Sequence, residues 1–268
     1  MMRDLMRKTL AAAAILLVPS AALAQQPNPL STRPGWELGG QASSYDYLEP
    51  DFAELKGNRI GLVAARTWTD DSGLFGKLDY RESYGRLKYE GSGTMDKVPD
   101  LIFELRALAG IDWVGSSVSL SPYLGLGYRY LYDNLRGYTS TGASGYRRYS
   151  NYLYAPAGLT ARWHMGGGWV LAPTAEADVF LYGTQVSKLS DANPALMDVT
   201  NRQSSGRGHR FSLMIEKDHW AFGAWNQYWH VKSSDTQCFT PVVNGICLAG
   251  QEPENYTREY GLELRYRF

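Results

Sequence analysis

The sequence lacks any apolar run long enough to cross a membrane as a helix, which takes about 20 residues. It has only two cysteines in 268 residues, which excludes a cysteine-rich metal site or a multiple-disulfide framework. Lys+Arg 27 and Asp+Glu 27 balance, so no charge surplus favours nucleic acid as a partner. No nucleotide-binding, zinc-protease or serine-hydrolase motif occurs. We therefore assign no catalytic residue, metal ligand or cofactor.

The N-terminus has the pattern of a secretory signal peptide. Three basic residues, Arg3, Arg7 and Lys8, precede a short apolar run, and Ala22-Leu23-Ala24 forms a small-residue cleavage site. We predict a signal peptide over 1–24, with cleavage between Ala24 and Gln25. A short leader over 25–34 and one domain over 35–268 then make up the exported protein.

The domain alternates apolar and polar residues with the period of two that is typical of strands. Its mean hydropathy of -0.34 and its 13% aromatic content fit a transmembrane barrel, which has a polar interior and aromatic girdles. A secreted β-sandwich is the alternative. We predict about ten strands, or eight or twelve if a hairpin is split or merged, at 35–47, 58–69, 74–91, 101–114, 118–133, 152–165, 169–186, 208–217, 220–233 and 257–268.

The connections between these segments alternate in length. Short turns at 70–73, 115–117, 166–168 and 217–219 alternate with long links at 49–57, 92–100, 134–151, 187–207 and 234–256. Bacterial outer-membrane barrels have short periplasmic turns and longer extracellular loops. The alternation therefore predicts an all-β, up-and-down antiparallel transmembrane barrel with five extracellular loops.

The C-terminus resembles the assembly signal of bacterial outer-membrane proteins, in which a terminal aromatic residue follows apolar or aromatic residues at every second position. The resemblance implies an outer-membrane location and recognition by the barrel assembly machinery through Tyr260, Leu262, Leu264, Tyr266 and Phe268. Ten strands and the segment 145–159 also resemble omptin-type surface proteases. Omptins carry an aspartate pair facing a His–Asp pair. Here no histidine accompanies Asp191 and Asp198 on the fourth long link, so the protease site is not carried over.

The predicted interior face carries charges of both signs. Long charged side chains in a narrow barrel must pair with each other, because an unpaired buried charge is costly. We predict a mostly filled polar lumen, with a narrow channel for small solutes as the alternative. The predicted interior charges are Arg81, Arg86, Arg106, Arg129, Arg162, Arg210, Arg265, Arg267, Glu37, Asp79, Glu104, Asp112, Glu176, Asp178, Glu216 and Glu263.

Two of the long links suggest specific features. Cys238 and Cys247 share the last link, and we predict a disulfide there, with free thiols as the alternative. A disulfide that closes a loop of about ten residues stabilises the folded protein by about 2.7 kcal/mol.

The third link is rich in arginine, which binds phosphates, and in tyrosine, which stacks on sugars. We predict contacts with lipopolysaccharide or another surface ligand, or else an aromatic girdle with loop packing, at Arg136, Tyr138, Arg147, Arg148 and Tyr149.

The expected function is that of a non-enzymatic outer-membrane protein that presents loops for surface interaction or envelope structure. Outer-membrane lipid and lipopolysaccharide are its expected partners, with no nucleic acid. An omptin-like or lipid-A-modifying enzyme is one alternative, and it would need a reactive cluster at the rim. The only residues that suggest such a cluster are His230, Asp235, Asp96 and Asp100.

Overall fold

The structure is a computed structural model that describes residues 28–241 and 246–268. The predicted signal peptide over 1–24 lies outside the described residues. Within them no helix is long and apolar enough to cross a membrane. The strands are β1 Gly35–Glu49, β2 Ala53–Thr69, β3 Leu74–Gly91, β4 Gly93–Ile111, β5 Trp113–Val114, β6 Val118–Tyr138, β7 Ser144–Gly166, β8 Trp169–Ser187, β9 Val199–Gln203, β10 Gly206–Lys217, β11 Trp220–Val231, β12 Thr236–Cys238, β13 Ala249–Gln251 and β14 Asn255–Arg267.

Ten long strands form one closed antiparallel barrel. Each pairs with its neighbours in the chain, and β14 pairs with β1 to close the sheet, with Tyr260 opposite Ser44. Four short strands extend this pattern: β5 continues β4 along β6, β9 pairs with the outer end of β8, and β12 and β13 form a separate hairpin in the last link. The predicted ten-stranded up-and-down barrel is confirmed.

The two faces of each strand differ as the alternation predicts. On β4 Glu104 and Arg106 are buried in the lumen, whereas Leu105 is exposed on the outside. The outer face is mainly apolar over the middle of the barrel. Its aromatic residues gather near both ends, with Trp68, Trp113, Trp169 and Trp220 beside the short turns and Tyr128, Tyr130 and Tyr132 towards the opposite end. An apolar belt between aromatic girdles is the exterior of a transmembrane barrel.

The predicted difference in loop length is only partly correct. The short turns hold, but the first three long links are mostly strand, since only 50–52, 92 and 139–143 separate the paired strands there. The last two links do remain long and carry β9, β12 and β13. The barrel wall therefore continues well beyond the apolar belt as paired strands. Their polar sequences predict loops. Strands that lie in water beyond the membrane, however, can hydrogen-bond to each other without being apolar.

Arg86 was predicted in the lumen and lies outside it. The inward positions of β3 are odd-numbered, including Asp79, Arg81 and Leu87, so Arg86 is exposed on the outer face. Arg81 and Arg86 are five residues apart, and two residues an odd number apart on a regular strand point to opposite faces. The prediction placed both on one face and was wrong for Arg86.

Candidate functional site

Because outer-membrane barrels have their short turns on the periplasmic side, we call the half of the lumen next to the short turns the periplasmic half and the other the extracellular half. The periplasmic half is filled by paired charges. Arg106 bridges two strands by donating to Asp79 and Glu176, with N–O distances of 2.8 and 2.7 Å. Arg265 reaches Asp79 at 3.4 Å and Glu37 at 3.2 Å, so the pairs join into one network. Further pairs of the same kind are Arg81–Glu263, Arg210–Glu104, Arg267–Glu37 and Arg267–Glu216. Most of the charges predicted for the lumen therefore pair with each other, whereas Arg129 and Asp178 are buried without an ion pair among the described residues.

Part of the leader closes the periplasmic mouth of the barrel. The backbone N–H and the hydroxyl of Thr32 donate to the Asp112 carboxylate at 2.6 and 2.8 Å. Leu30 is buried, and its carbonyl accepts a hydrogen bond from the Ser119 hydroxyl. Arg162, also predicted inside, donates to the Ser121 hydroxyl at 2.8 Å beside this contact. The leader therefore extends the filling of the lumen to its lower end.

The extracellular half of the lumen contains a cluster of apolar and aromatic side chains beside buried polar groups such as Arg59 and Asp100. The prediction of a mostly polar filling did not include this cluster. Tyr154 and Trp229 are almost fully buried and meet edge to face, with ring centroids 4.9 Å apart. Gly127 and Gly208 make room for these rings, since a Cβ built on either glycine would lie only 2.2 or 2.8 Å from ring atoms. The other members of the cluster include Tyr45, Tyr47, Leu55, Leu87, Val98, Ile102, Leu131, Leu135, Tyr152, Phe180 and Val231.

Above this apolar cluster the barrel opens into a cavity, which we call the extracellular cup. The cup has a volume of about 370 Å³ and is bounded by the outer ends of the strands and by the last link. Its charged residues are Glu49, Arg148 and Glu252. Its apolar and aromatic lining includes Phe52, Tyr89, Met95, Leu135, Tyr146 and Phe239. A concave apolar site with a few convergent polar groups is the usual form of a ligand pocket.

The three charged residues of the cup form one buried cluster. The Arg148 guanidinium donates to the carboxylates of both Glu49 and Glu252. The Tyr47 hydroxyl donates to Glu49 at 2.7 Å and accepts from Arg148 at 3.2 Å. Burial raises the pKa of the Glu252 carboxyl, the charge of Glu49 adds to the rise, and Arg148 opposes it. No sequence pattern indicates this cluster, because its members are far apart in the chain.

The residues predicted to contact a surface ligand are divided between the two faces of the wall. Arg136 and Tyr138 are exposed on the outer face, and Arg147 and Tyr149 are half-buried there. Arg147 forms a two-pronged ion pair with Asp191, at 2.6 and 2.8 Å. Arg148 instead points inward and is buried in the cup. The expectation of surface contact therefore does not hold for Arg148, because it alternates with its neighbours along β7.

The tyrosines around the third link are divided in the same way. Tyr149 lies against Tyr132 and Tyr130 on the outside, with ring centroids 5.1 and 6.3 Å apart. These three rings belong to the outer girdle. Tyr152 and Tyr154 point into the lumen and are part of its apolar filling.

The remaining predicted site residues lie at the two ends of the barrel. Cys238 and Cys247 are at disulfide distance in the last link, with Cα atoms 5.8 Å apart. The five assembly-signal residues lie on the outer face of β14, from Tyr260 to the exposed Phe268. Their recognition by the assembly machinery stays a prediction.

The cluster that an enzyme would need at the rim is not brought together. His230 points outward and stacks on Tyr256, with ring centroids 4.4 Å apart. Asp100 lies on the opposite face of the wall, buried inside the barrel and paired with Arg59. Asp235 caps the backbone of Arg202 in a link outside the lumen. In the part of the chain that the structure describes, no group of three or more His, Cys, Asp and Glu residues could hold a metal ion.

Comparison with known proteins shows the fold but no family. No protein-family description matches the chain, and no curated protein matches it. The outer-membrane protease OmpT of Escherichia coli is similar in structure, with a TM-score of 0.55 and 10% identity over 87% of this chain and 97% of OmpT. The translocator domain of autotransporter NalP from Neisseria meningitidis gives a TM-score of 0.41, with 12% identity over 99% of this chain and 96% of that one. The toluene transporter TodX of Pseudomonas putida gives 0.39, with 9% identity over 90% and 91%.

The closed barrel, its apolar exterior and the likeness to OmpT together define the class of this protein. It is a β-barrel of the bacterial outer-membrane type, as the sequence predicts. At 10% identity the likeness carries no activity across.

Proposed function

We propose that this protein is a non-enzymatic outer-membrane barrel that holds its extracellular end as a rigid surface for interaction, with a lumen closed to solutes. The filled lumen is the observation that carries the proposal. Arg106 and its partners occupy the periplasmic half, and Trp229 and Tyr154 occupy the half above it. An interior just wide enough for side chains to fill is typical of about eight strands, and an aqueous channel of about 16–18, so ten strands lie near the narrow end of this range.

The construction of the outer end also favours a binding surface. The walls continue as paired strands to residues 50–52, 92 and 139–143. The last link is tied back by the Arg148–Glu252 pair and by the close approach of Cys238 and Cys247. A surface that is held rigid before binding loses less conformational entropy when a partner binds.

Conductance in planar lipid bilayers tests whether the lumen is closed. We expect the refolded barrel, inserted at many copies, to give no steady conductance above that of the bare bilayer. A wide porin inserted by the same procedure controls for incorporation. A steady, reproducible conductance step from the wild-type protein would overturn the proposal and favour the narrow channel.

Lipopolysaccharide is the partner that the outer face around the third link fits best. Arg136 and Tyr138 are exposed there beyond the tyrosine girdle, with Arg147 and Tyr149 beside them. Among the described residues, Arg136 donates a side-chain hydrogen bond to Asn134 alone, at 2.9 Å, so its guanidinium has donors left for a phosphate oxygen. Charge-assisted hydrogen bonds of this kind are the strong ones.

Binding of purified lipopolysaccharide to the barrel in micelles tests this contact. We expect Arg136→Ala with Arg147→Ala to weaken binding about tenfold, since each variant removes charge-assisted donors. Removal of the phosphates from the lipopolysaccharide should have a similar effect. Arg207→Ala, at an exposed outward arginine on β10, is the matched control. Equal affinity of the double variant and the wild type would exclude this patch.

A further inference from the structure

The extracellular cup combines an acidic floor with an aromatic wall. We propose that it binds a small amphipathic amine, with the ammonium group on the carboxylates of Glu49 and Glu252 and the apolar body against the surrounding rings. The inference adds a ligand to the proposed function. It rests on that function in one respect, because it takes the cup to face the outside of the cell.

The charge of the floor favours a cationic group. Two carboxyl groups share the single guanidinium of Arg148, so the cluster is neutral while Glu252 is protonated and gains a surplus negative charge when Glu252 ionises. The other groups that act on this charge are the hydroxyls of Tyr47, Tyr146 and Tyr152. Along the described residues that line the cavity, Arg148 is the one basic side chain. An ammonium is therefore stabilised by the form in which both carboxyl groups are ionised, whereas an anionic ligand is repelled by that form.

The cluster is also not closed on itself. Arg148 is more than nine-tenths buried and its Nε–H has no partner among the described residues, so one donor is left for an acceptor atom of a ligand. Both carboxyl groups accept from the same guanidinium nitrogen, Nη2, and Glu252 also hydrogen-bonds to Glu49. Ionisation of Glu252 removes the proton of that bond and leaves carboxylate oxygens free to accept. Buried polar groups are normally satisfied by hydrogen bonds. Acceptor capacity at the floor of an open cavity fits a ligand that donates hydrogen bonds, as an ammonium does.

The wall of the cup sets the shape of the apolar part. Phe52, Tyr89 and Phe239 present rings to the cavity, and Met95 and Leu135 lie between them. Rings attract cations through their faces, by about 0.5–2 kcal/mol depending on exposure. The volume of about 370 Å³ lies at the low end for ligand pockets. These features fit one ring or a short branched chain that carries an amine.

The raised pKa of Glu252 gives the site a further property. An ammonium that binds here favours the ionised carboxylate, so binding releases a proton from Glu252 when that group is protonated. The heat of binding should therefore depend on the ionisation enthalpy of the buffer. An amine bound elsewhere on the barrel, away from this cluster, would not have this signature.

Calorimetric titration of the full-length refolded barrel in micelles tests the proposal. The probes are 2-phenylethylamine and 3-phenylpropanoate, which share the ring and differ in charge, and titration into empty micelles corrects for partitioning. We expect one site for the amine, no measurable site for the carboxylate, and about tenfold weaker amine binding in Glu252→Gln. Glu49→Gln should show the same loss, and it serves as the second variant if Glu252→Gln fails to give a folded barrel.

Glu254→Gln is the matched control, because Glu254 lies two residues away and pairs with the outward-facing His230 at 3.2 Å. It should bind the amine as the wild type does. The proposal is overturned if the carboxylate binds as tightly as the amine, if neither binds, or if both floor variants keep wild-type affinity. None of these results bears on the conductance of the barrel, so the bilayer measurement tests the proposed function independently.

Discussion

Arg106→Met tests whether the charge network in the lumen is dry and tightly paired. Arg106 is buried and holds Asp79 and Glu176 on two different strands. Methionine fills most of the same volume but leaves both carboxylates without their main partner. Removing one member of a buried ion pair typically costs about 3–5 kcal/mol, because the remaining charge is uncompensated.

We expect a loss near the low end of that range, about 3 kcal/mol, because both carboxylates keep other partners. Asp79 still has Arg265 at 3.4 Å, and Glu176 still accepts from the Tyr123 hydroxyl at 2.8 Å. A loss of this size is roughly a hundredfold in the unfolding equilibrium. Adding Glu176→Gln to Arg106→Met should recover part of the loss, since it removes one of the uncompensated charges.

The assay is reversible unfolding in denaturant, in micelles, followed by tryptophan fluorescence. Arg86→Met is the matched control: it removes an arginine from the exposed outer face of β3 and should change stability by less than about 0.5 kcal/mol. If Arg106→Met costs less than about 1 kcal/mol, the lumen is wet enough to screen its charges. The closed interior would then be the wrong description.

Four further changes have expected outcomes. Trp229→Ala should lower the free energy of unfolding by about 3–5 kcal/mol, because it empties the centre of the apolar filling; denaturant unfolding measures it, and a loss under about 1 kcal/mol would contradict the packing. Cys238→Ser should speed proteolysis of the last link by removing a loop constraint worth about 2.7 kcal/mol, without changing the midpoint of barrel unfolding. Deletion of Phe268 should lower the folded amount in the outer membrane, measured by heat-modifiable electrophoresis, whereas Phe268→Tyr should keep it. The pKa of Glu252 is raised to about 8, so its stabilising contribution is complete below about pH 4.5 and is lost as pH rises through about 8. Proteolysis of the last link should accelerate over that range in the wild type and not in Glu252→Gln, which also corrects for the protease.

The strands could be predicted because membrane and lumen impose opposite demands on neighbouring residues. β14 shows this most clearly: Leu262 and Leu264 face outward, and Glu263 and Arg265 face the lumen. Above the apolar belt the outer face is in water, so the contrast weakens. The outer ends of β2, β4, β6 and β7 are therefore predicted as loops although they are paired.

The interior was harder to predict, since a hydrophobic residue on an inward position reads as a break in the pattern. Leu87 and Trp229 occupy such positions and belong to the apolar filling. Two glycines could have indicated this apolar filling, because Gly127 and Gly208 occupy inward positions and leave room for the large rings opposite them. Such a pairing becomes visible only once the register of neighbouring strands is known.

The extracellular cup could not be predicted from the sequence. Glu49, Arg148 and Glu252 come from the end of β1, the start of β7 and the last link, and no spacing rule connects them. The chemical likeness of Arg147 and Arg148 predicts that both contact a surface ligand. Adjacent residues on a strand point to opposite faces, so only one of the two could contact a surface ligand.

The most direct test of the transmembrane barrel is electrophoretic mobility with and without boiling, on protein extracted by detergent from purified outer membranes. A closed barrel whose sheet is sealed by β1 and β14 should stay folded in detergent until it is heated. We expect the unboiled protein in the outer-membrane fraction to migrate faster than the boiled protein. Recovery from the soluble periplasm with no shift in mobility would contradict the membrane barrel, and the alternating strands would then have to belong to a secreted β-sandwich.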